Sequence, residues 1–191
     1  MEPVYKDSET FDKIDFSENC FEKGEYENCS FLNCNLSEAD LSGCLFLDCS
    51  FTDCNLSMAK LQGTSFRDVS FSGCKMLGLQ FGDCNTFSVL FSFDNCMLNH
   101  SSFYKLNINK TSFKNSSLES VDFSECDLTG SMFDNCNLLS SMFEMTTLEK
   151  ADLRTSYNYS IDPDKNRIAK AKFSLQGVAG LLDKYNIIIE P

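Results

Sequence analysis

The sequence predicts an all-β fold, a right-handed quadrilateral β-helix in which the chain turns a corner after every fifth residue. Large apolar side chains recur at intervals of five, and a small residue usually stands two positions before each of them. A helix face repeats every 3.6 residues and a strand face every 2, so neither regular element explains this period. Four such corners close a square coil of about twenty residues, and the coils stack into a solenoid.

The five-residue period occupies two long runs of the chain. The central positions of the first run are Phe11, Phe16, Phe21, Tyr26, Phe31, Leu36, Leu41, Phe46, Phe51, Leu56, Leu61, Phe66, Phe71, Met76 and Phe81. After a disturbance between Gly82 and Asn95, the period resumes with a shift of two residues. The second run comprises Leu98, Phe103, Ile108, Phe113, Leu118, Phe123, Leu128, Phe133, Leu138, Phe143, Leu148 and Leu153. Residues twenty apart should stack, so we expect Phe31, Phe51, Phe71 and Phe91 to share one face.

The cysteines favour a structural interpretation. The chain has 11 of them, an odd number, and nearly all fall in the small inward position. We expect Cys34, Cys54 and Cys74 to form one column of buried free thiols, because unpaired cysteine behaves as a small apolar residue. A zinc site would need CxxC pairs or cysteines combined with histidines. The sequence therefore predicts no metal site and no cofactor.

The period divides the chain into three regions. Residues 1–10 are too polar to be a repeat and are expected to form an N-terminal cap over the first coil. Residues 11–155 form the solenoid, with the register shift at 82–97. Residues 156–191 are expected to form an exit turn, a capping helix and a short strand. This last region is also expected to be the dimerisation module, because it is more apolar than a simple lid requires.

The capping helix is predicted from spacing and end signals. Ser174 is a favourable N-cap residue, and apolar side chains follow at helical intervals. Asn186 can end the helix, and the three isoleucines 187–189 have the composition of a strand. A symmetric contact between two such ends would use the exposed apolar side chains. The expected dimer interface comprises Leu175, Val178, Leu181, Leu182, Tyr185, Ile187, Ile188 and Ile189.

The composition argues against catalysis and against a membrane protein. His100 is the single histidine, so no nucleophile, histidine and acid arrangement can be assembled with it, and no glycine-rich phosphate loop is present. No apolar run approaches the roughly 18 to 20 residues of a membrane span, and the first residues are polar. We therefore expect a cytoplasmic protein that is not an enzyme.

Short motifs connect the repeat to a known family. CysAsnLeu occurs at 34–36, 54–56 and 136–138, and AlaAspLeu occurs at 39–41 and 151–153. These motifs resemble the pentapeptide-repeat family, whose unit is a small residue, Asp or Asn, Leu or Phe, and two polar residues. The tail KAKFSLQGVAGLLDKYNIII is similar to the C-terminal region of the bacterial Qnr and McbG type of members. That resemblance implies a homodimer formed through the tail.

The resemblance also implies a function. Members of the Qnr and McbG type are DNA mimics that bind DNA gyrase or topoisomerase IV and shield it from quinolones or peptide toxins. The charge of this chain agrees with mimicry, since residues 1–99 carry 6 basic and 16 acidic residues, a net of −10, and the other 92 carry 10 and 12, a net of −2. Such a field should repel nucleic acid. The candidate partner-binding residues are the outward acids Glu38, Asp40, Asp48, Asp53, Asp68 and Asp83.

Two alternatives remain open at this stage. Outward acids also keep a solenoid soluble and its edges unpaired, without any partner. The protein could equally be a structural scaffold whose faces or junction bind an unrelated partner. The junction at 82–97 is either a neutral defect in the repeat or an interaction loop, because departures from a regular repeat often carry contacts.

Overall fold

The computed structural model describes residues 3–17, 20–87 and 89–190, and it confirms an all-β solenoid of parallel strands. The strands are β1 (Val4–Asp7), β2 (Thr10–Asp12), β3 (Gly24–Glu27), β4 (Ser30–Leu32), β5 (Leu45–Leu47), β6 (Ser50–Thr52), β7 (Ser65–Arg67), β8 (Val69–Ser72), β9 (Phe91–Asp94), β10 (Ser112–Lys114) and β11 (Met132–Asp134). One sheet has the order β1-β3-β5-β7 and the other β11-β10-β9-β8-β6-β4-β2. No helix in these described ranges is long and apolar enough to cross a membrane.

The spacing between paired strands explains the five-residue period. Phe31 pairs with Phe51 across β4 and β6, twenty residues apart, so four units of five return the chain to the same side. Single-residue bridges continue the ladders where no strand forms, including Asp152 with Lys172. One ladder therefore joins Thr10, Ser30, Ser50, Ser70, Ser92, Ser112, Met132, Asp152 and Lys172.

The ends of the coil extend beyond the repeat visible in the sequence. β1 pairs with β3, so residues from Val4 onward belong to the first coil, inside the region 1–10 that was expected to cap it. At the other end, Arg167 still pairs with Thr147. Backbone pairing continues at both ends without the five-residue pattern. The hydrogen bonds of a parallel ladder join main-chain N–H and C=O groups, so they do not require a Phe or Leu at each centre.

Aromatic rings fill the inside of the coil in columns. The rings of Phe31 and Phe51 lie 4.6 Å apart and are inclined by 5°, close to the separation of adjacent strands. Neighbouring columns meet edge to face, as between Phe103 and Phe113 at 5.9 Å and 86°. Each such pair stabilises the fold by about 0.5–1.5 kcal/mol beyond the burial of its area. The core is therefore continuous along the rod.

The small inward position also makes hydrogen bonds to the preceding coil. The hydroxyl of Thr64 donates to the carbonyl oxygen of Leu41 at 2.8 Å, and that of Thr146 donates to Phe123 at 2.8 Å. Cys54 Sγ lies 3.4 Å from the carbonyl oxygen of Phe31 in the same way. A short side chain with a weak or strong donor suits this position, because longer ones would fill the aromatic core. This preference explains the mixture of Cys, Ser, Thr and Ala.

Most corners adopt a left-handed backbone conformation at the second residue after the centre. Asp48 has φ of 53° and Lys110 has φ of 59°. This region suits Gly, Asn and Asp, and other residues adopt it at a cost of about 1 kcal/mol or more. Lysine therefore occupies the same corner geometry as aspartate in this chain. The corners present their side chains outward, which places many of the charges there.

The junction lengthens one coil by two residues. Val69 pairs with Phe91 and Phe71 with Phe93, so the offset is 22 rather than 20. The expectation that Phe91 continues the Phe71 column was wrong, since Phe93 stacks on Phe71 at 5.3 Å and 9°. Phe91 instead occupies the small position of its repeat, where it packs 5.5 Å from Phe66. The Phe91 ring is larger than the Val69 side chain, which occupies the equivalent position in the preceding coil.

The tail departs from the predicted helix and strand. It forms two short 3-10 helices, Gly177–Leu181 and Asp183–Tyr185, instead of an α-helix. Tyr159 explains this difference, because its carbonyl oxygen lies 2.1 Å from the place of a Cβ on Gly180, so the segment wraps tightly round it. Asn186 ends the second helix with φ of 48°, as expected. The isoleucines 187–189 form no strand, since they pair with no other described residue.

Candidate functional site

The structure distributes five of the six candidate partner-binding acids over all four corners of the coil, whereas Asp40 lies on a side, where it bridges to Lys60. Asp48 and Asp68 lie one above the other on a single corner, because the N–H of Asp48 bonds to the carbonyl of Arg67. Glu38, Asp53 and Asp83 each occupy a different corner. Whether these acids bind a partner stays a prediction, but they do not form one surface.

Two of these acids are close together in a depression of about 610 Å³. Glu38 and Asp40 line it together with Cys20 and Lys23. The ammonium of Lys23 lies 2.7 Å from Asp40 Oδ2, and this hydrogen bond holds the pKa of Asp40 at about 2. The charge of Asp40 is therefore compensated locally, which weakens its contribution to an acidic field.

The corner that carries Asp48 and Asp68 is a strongly acidic surface, and it includes acids that were not predicted from the sequence. Asp7 pairs with Glu27, and these residues lie beside Asp48 and Asp68 on the corner between the two sheets. The phenol of Tyr5 donates to Glu27 Oε2 at 2.8 Å, and this bond raises the pKa of Tyr5. Positions 20 and 40 residues before Asp48 are Asn28 and Ser8, which therefore share its corner. This spacing in the sequence could have identified Glu27 and Asp7, which lie beside them.

We call this corner the charged corner. It consists of Ser8, Asn28, Asp48, Asp68, Leu90, Lys110, Gly130, Lys150 and Lys170, together with the charged neighbours Asp7, Glu9, Glu25, Glu27, Arg67, Glu149, Arg167 and Lys172. In its first half no described cation lies within ion-pair distance of Asp48 or Asp68. Its uncompensated carboxylates make it the strongest candidate for binding a basic surface.

The junction adds an exposed apolar group to the middle of the charged corner. The Phe87 side chain is 69% exposed and Leu90 is 43% exposed. The guanidinium carbon of Arg67 lies 5.6 Å from the centre of the Phe87 ring, a cation–π contact. Exposed apolar side chains also occur elsewhere on the coil, including Met58 and Met145, so Phe87 and Leu90 are a candidate contact through their place on the charged corner.

The tail presents most of the residues expected at a dimer interface. Leu175 is 85% exposed and Ile188 is 89% exposed. Leu181 differs, because it packs partly against the core. The ammonium of Lys184 bonds to Asp162 and Asp164, which ties the second 3-10 helix to the exit turn. The tail is thus anchored while its apolar side chains stay open, and dimerisation through it remains a prediction.

The cysteines lie in the core as free thiols. Ten are buried and Cys20 is exposed. The N–H of Cys34 bonds to Cys54 Sγ at 3.3 Å, so the expected column of Cys34, Cys54 and Cys74 is present. Burial raises the pKa of Cys49 to about 11 and that of Cys136 to about 12. In the described part of the chain, no group of His, Cys, Asp and Glu could hold a metal ion.

Comparisons with known proteins agree with this architecture. The family model described as "Pentapeptide repeat region" matches residues 24–92 and 92–157. A solved structure of trypsin-treated QnrB1, a plasmid-mediated fluoroquinolone resistance protein, superposes with a TM-score of 0.63 and 19% identity, covering 98% of this chain and all of that one. A second trypsin-treated QnrB1 variant gives 0.54 and 17%, covering 98% and 92%. No curated protein sequence matches the chain. Since the family model covers well over half of its residues, this chain belongs to the pentapeptide-repeat family.

Proposed function

We propose that this protein is a non-enzymatic DNA mimic that binds DNA gyrase or topoisomerase IV in the bacterial cytoplasm and protects the enzyme from quinolones or peptide toxins. The observation that carries the proposal is the acidic half of the charged corner. There Asp7, Glu27, Asp48 and Asp68 lie on successive coils, and none of the four is in an ion pair with another described residue, although Arg67 lies next to Asp68. A surface that accepts duplex DNA is rich in cations and would attract such a row.

The spacing of these carboxylates supports mimicry in part. Stacked coils are about 4.8 Å apart, whereas duplex DNA carries one charge per about 1.7 Å of its axis. The protein row is therefore less densely charged than DNA. Its binding should depend steeply on salt, because both partners would release counterions and screening acts on exposed charges.

A homodimer through the tail would extend this acidic surface. The exposed apolar side chains of the tail, Leu175 and Ile188 above all, support an isologous contact between two C-terminal ends. Such a dimer would place the two acidic halves at opposite ends of a longer rod. The description of QnrB1, which shares the fold, as a fluoroquinolone resistance protein supports quinolone protection as the outcome to test.

A supercoiling assay with purified gyrase tests the proposal. The protein is titrated with and without a quinolone, and its effect is compared with that of Asp48→Lys/Asp68→Lys. Lysine already occupies this corner geometry at Lys110 and Lys150, so the variant should fold. The matched control is Glu22→Lys/Glu119→Lys, which changes the net charge equally and alters two carboxylates outside the charged corner and the tail that have no ion pair in the described structure.

The proposal predicts inhibition or protection by the wild type and the control, and at least tenfold weaker action by the corner variant. Equal action of all three would contradict the assigned surface. No effect of the wild type on gyrase and topoisomerase IV from a susceptible host would contradict the function itself. Topoisomerase binding without quinolone protection is a distinct outcome. It would appear as inhibition of supercoiling in the drug-free arm, with no recovery of activity in the quinolone arm.

The exposed junction favours a second function, a scaffold that binds an unrelated protein partner. Phe87 and Leu90 would form the contact, as exposed apolar groups often do. This alternative predicts that Phe87→Ser abolishes capture of the partner while Asp48→Lys/Asp68→Lys does not. The opposite pattern would favour mimicry.

A further inference from the structure

The charged corner reverses its sign along the rod. Its first half carries Asp48 and Asp68, whereas the equivalent positions of the second half carry Lys110, Lys150 and Lys170. All five side chains are exposed and all five residues have positive φ, so they project from the corner in the same local geometry. The reversal is therefore a property of one continuous surface and not of two unrelated patches.

The cations of the second half differ in whether they form ion pairs among the described residues. Lys172 lies 3.5 Å from Asp152. In contrast, no carboxylate among the described residues lies within ion-pair distance of Lys110, Lys150 or Lys170. Arg167 and Lys172 flank Lys170 in the last coil, and Arg167 forms no ion pair among the described residues. Glu149 reduces the positive charge beside Lys150.

The exposed apolar group marks the middle of the corner. Leu90 precedes Phe91 as Asp68 precedes Val69, so it occupies the same corner position at the junction level. Four corner residues lie on either side of it: Ser8, Asn28, Asp48 and Asp68 before it, and Lys110, Gly130, Lys150 and Lys170 after it. Phe87 lies at this same level, against Arg67.

A two-fold axis through Leu90 would make this corner complementary to itself. One level from the axis, Asp68 of one copy, with Arg67 beside it, would face Lys110 of the other. Two levels away, Asp48 would face the uncharged Gly130. Three levels away, Glu27 would face Lys150 and its neighbour Glu149, and four levels away Asp7 would face Lys170. The two Phe87 side chains would meet near the axis, where they are covered by apolar contact.

We propose that two copies of this chain associate side by side and antiparallel through the charged corner. The contact would run for about 38 Å, eight steps of about 4.8 Å, with an apolar centre and oppositely charged ends. Because each pairing occurs twice, the interface is isologous and closed. A nucleic acid is a poorer occupant of the basic end, since the acidic half of the same corner would repel its phosphates.

Sedimentation velocity on the full chain tests this interface without any topoisomerase. Asp68→Lys and Lys110→Asp each place like charges opposite each other twice per dimer, so each alone should weaken association by about tenfold or more. A 1:1 mixture of the two variants should restore it, because both contacts between positions 68 and 110 in the mixed dimer are again of opposite charge. The matched control is Asp53→Lys, an aspartate with the same backbone geometry on another corner.

Ile188→Asp separates this contact from the tail dimer, because it alters a side chain that is 89% exposed in the tail. The proposal requires that residual association of the Ile188→Asp variant weakens as salt rises and is lost in the additional presence of Asp68→Lys. A chain that remains monomeric at low salt with the tail variant overturns the proposal. Failure of the mixture to associate while each variant is folded by circular dichroism overturns it as well.

Discussion

Replacing Phe113 by alanine tests whether the aromatic columns hold the solenoid together. The Phe113 side chain is 0% exposed, and its ring stacks between those of Phe93 at 5.1 Å and Phe133 at 4.9 Å. It also meets Phe103 and Phe123 edge to face at 5.9 and 6.0 Å. Burial of this kind makes a Phe-to-Ala change cost about 3–5 kcal/mol of unfolding free energy. We expect the upper part of that range, because the ring contacts three successive levels of the coil.

A second substitution divides this cost into its parts. Phe113→Leu keeps much of the apolar volume and removes the ring contacts, so it should cost about 1–2 kcal/mol. Phe87→Ala is the matched control, since that ring is 69% exposed and its loss should change stability by at most about 0.5 kcal/mol.

Equilibrium unfolding in guanidinium, followed by far-UV circular dichroism, measures these differences through midpoint shifts at constant slope. A reduced slope would indicate that the coils unfold in separate units, as nearest-neighbour coupling in repeat proteins allows. A cost below about 1 kcal/mol for Phe113→Ala would refute the view that the stacked columns are the main source of stability.

Three further predictions follow from the small position, the tail and one ion pair. A water-soluble thiol reagent should modify Cys20 alone in the native protein and all 11 cysteines after unfolding, counted by mass spectrometry; rapid native modification of Cys54 or Cys74 would contradict their burial. Gly180→Ala should cost about 1–3 kcal/mol and free the tail for proteolysis, because the new Cβ would lie 2.1 Å from the Tyr159 carbonyl oxygen; unchanged protection would contradict that packing. Hydrogen bonding to Arg154 holds the pKa of Asp152 at about 2, so this contact stabilises the fold above the ordinary carboxyl pKa of about 3.9 and is lost as pH falls towards 2. Arg154→Gln should raise the Asp152 pKa in a carboxylate NMR titration, and an unchanged value would contradict this cause.

The solenoid could be predicted because its determinants are periodic and local. A Phe or Leu at each centre and a small residue two positions earlier are visible without knowing which coils touch. The hydrogen bond from Thr146 to the carbonyl of Phe123 could not be predicted from the sequence. It joins residues 23 apart, and it forms only because adjacent coils stack at a distance that a side-chain hydroxyl can span. The position of Phe91 was missed for a related reason. Its residue type fits a centre, and only the 22-residue offset of β9 shows that it occupies the small position.

The tail and the charged surface were harder to predict because tertiary contacts decide them. Helical spacing from Leu175 to Tyr185 is real, but close packing of Gly180 on Tyr159 leaves only 3-10 turns. The six acids were chosen as outward residues, and outward positions point to four different sides of a square coil. Asp48 and Asp68 share a corner because they are twenty residues apart, a relation that the choice by residue type did not use.

The two proposed uses of the charged corner exclude each other at the same carboxylates. Asp68 cannot face a lysine of a second copy and a cationic surface of a topoisomerase at once, since each contact covers its side chain. Both contacts weaken with salt. The acidic half meets only the few cations of one basic half in the dimer, whereas a DNA-binding surface would present more cations to it and should bind it more tightly. The topoisomerase should therefore displace the second copy, and the side-by-side dimer would cover the acidic half until such a partner is present. On this reasoning Lys110→Asp, which leaves the acidic row intact and disrupts the dimer, should strengthen topoisomerase binding, whereas Asp68→Lys should weaken both contacts.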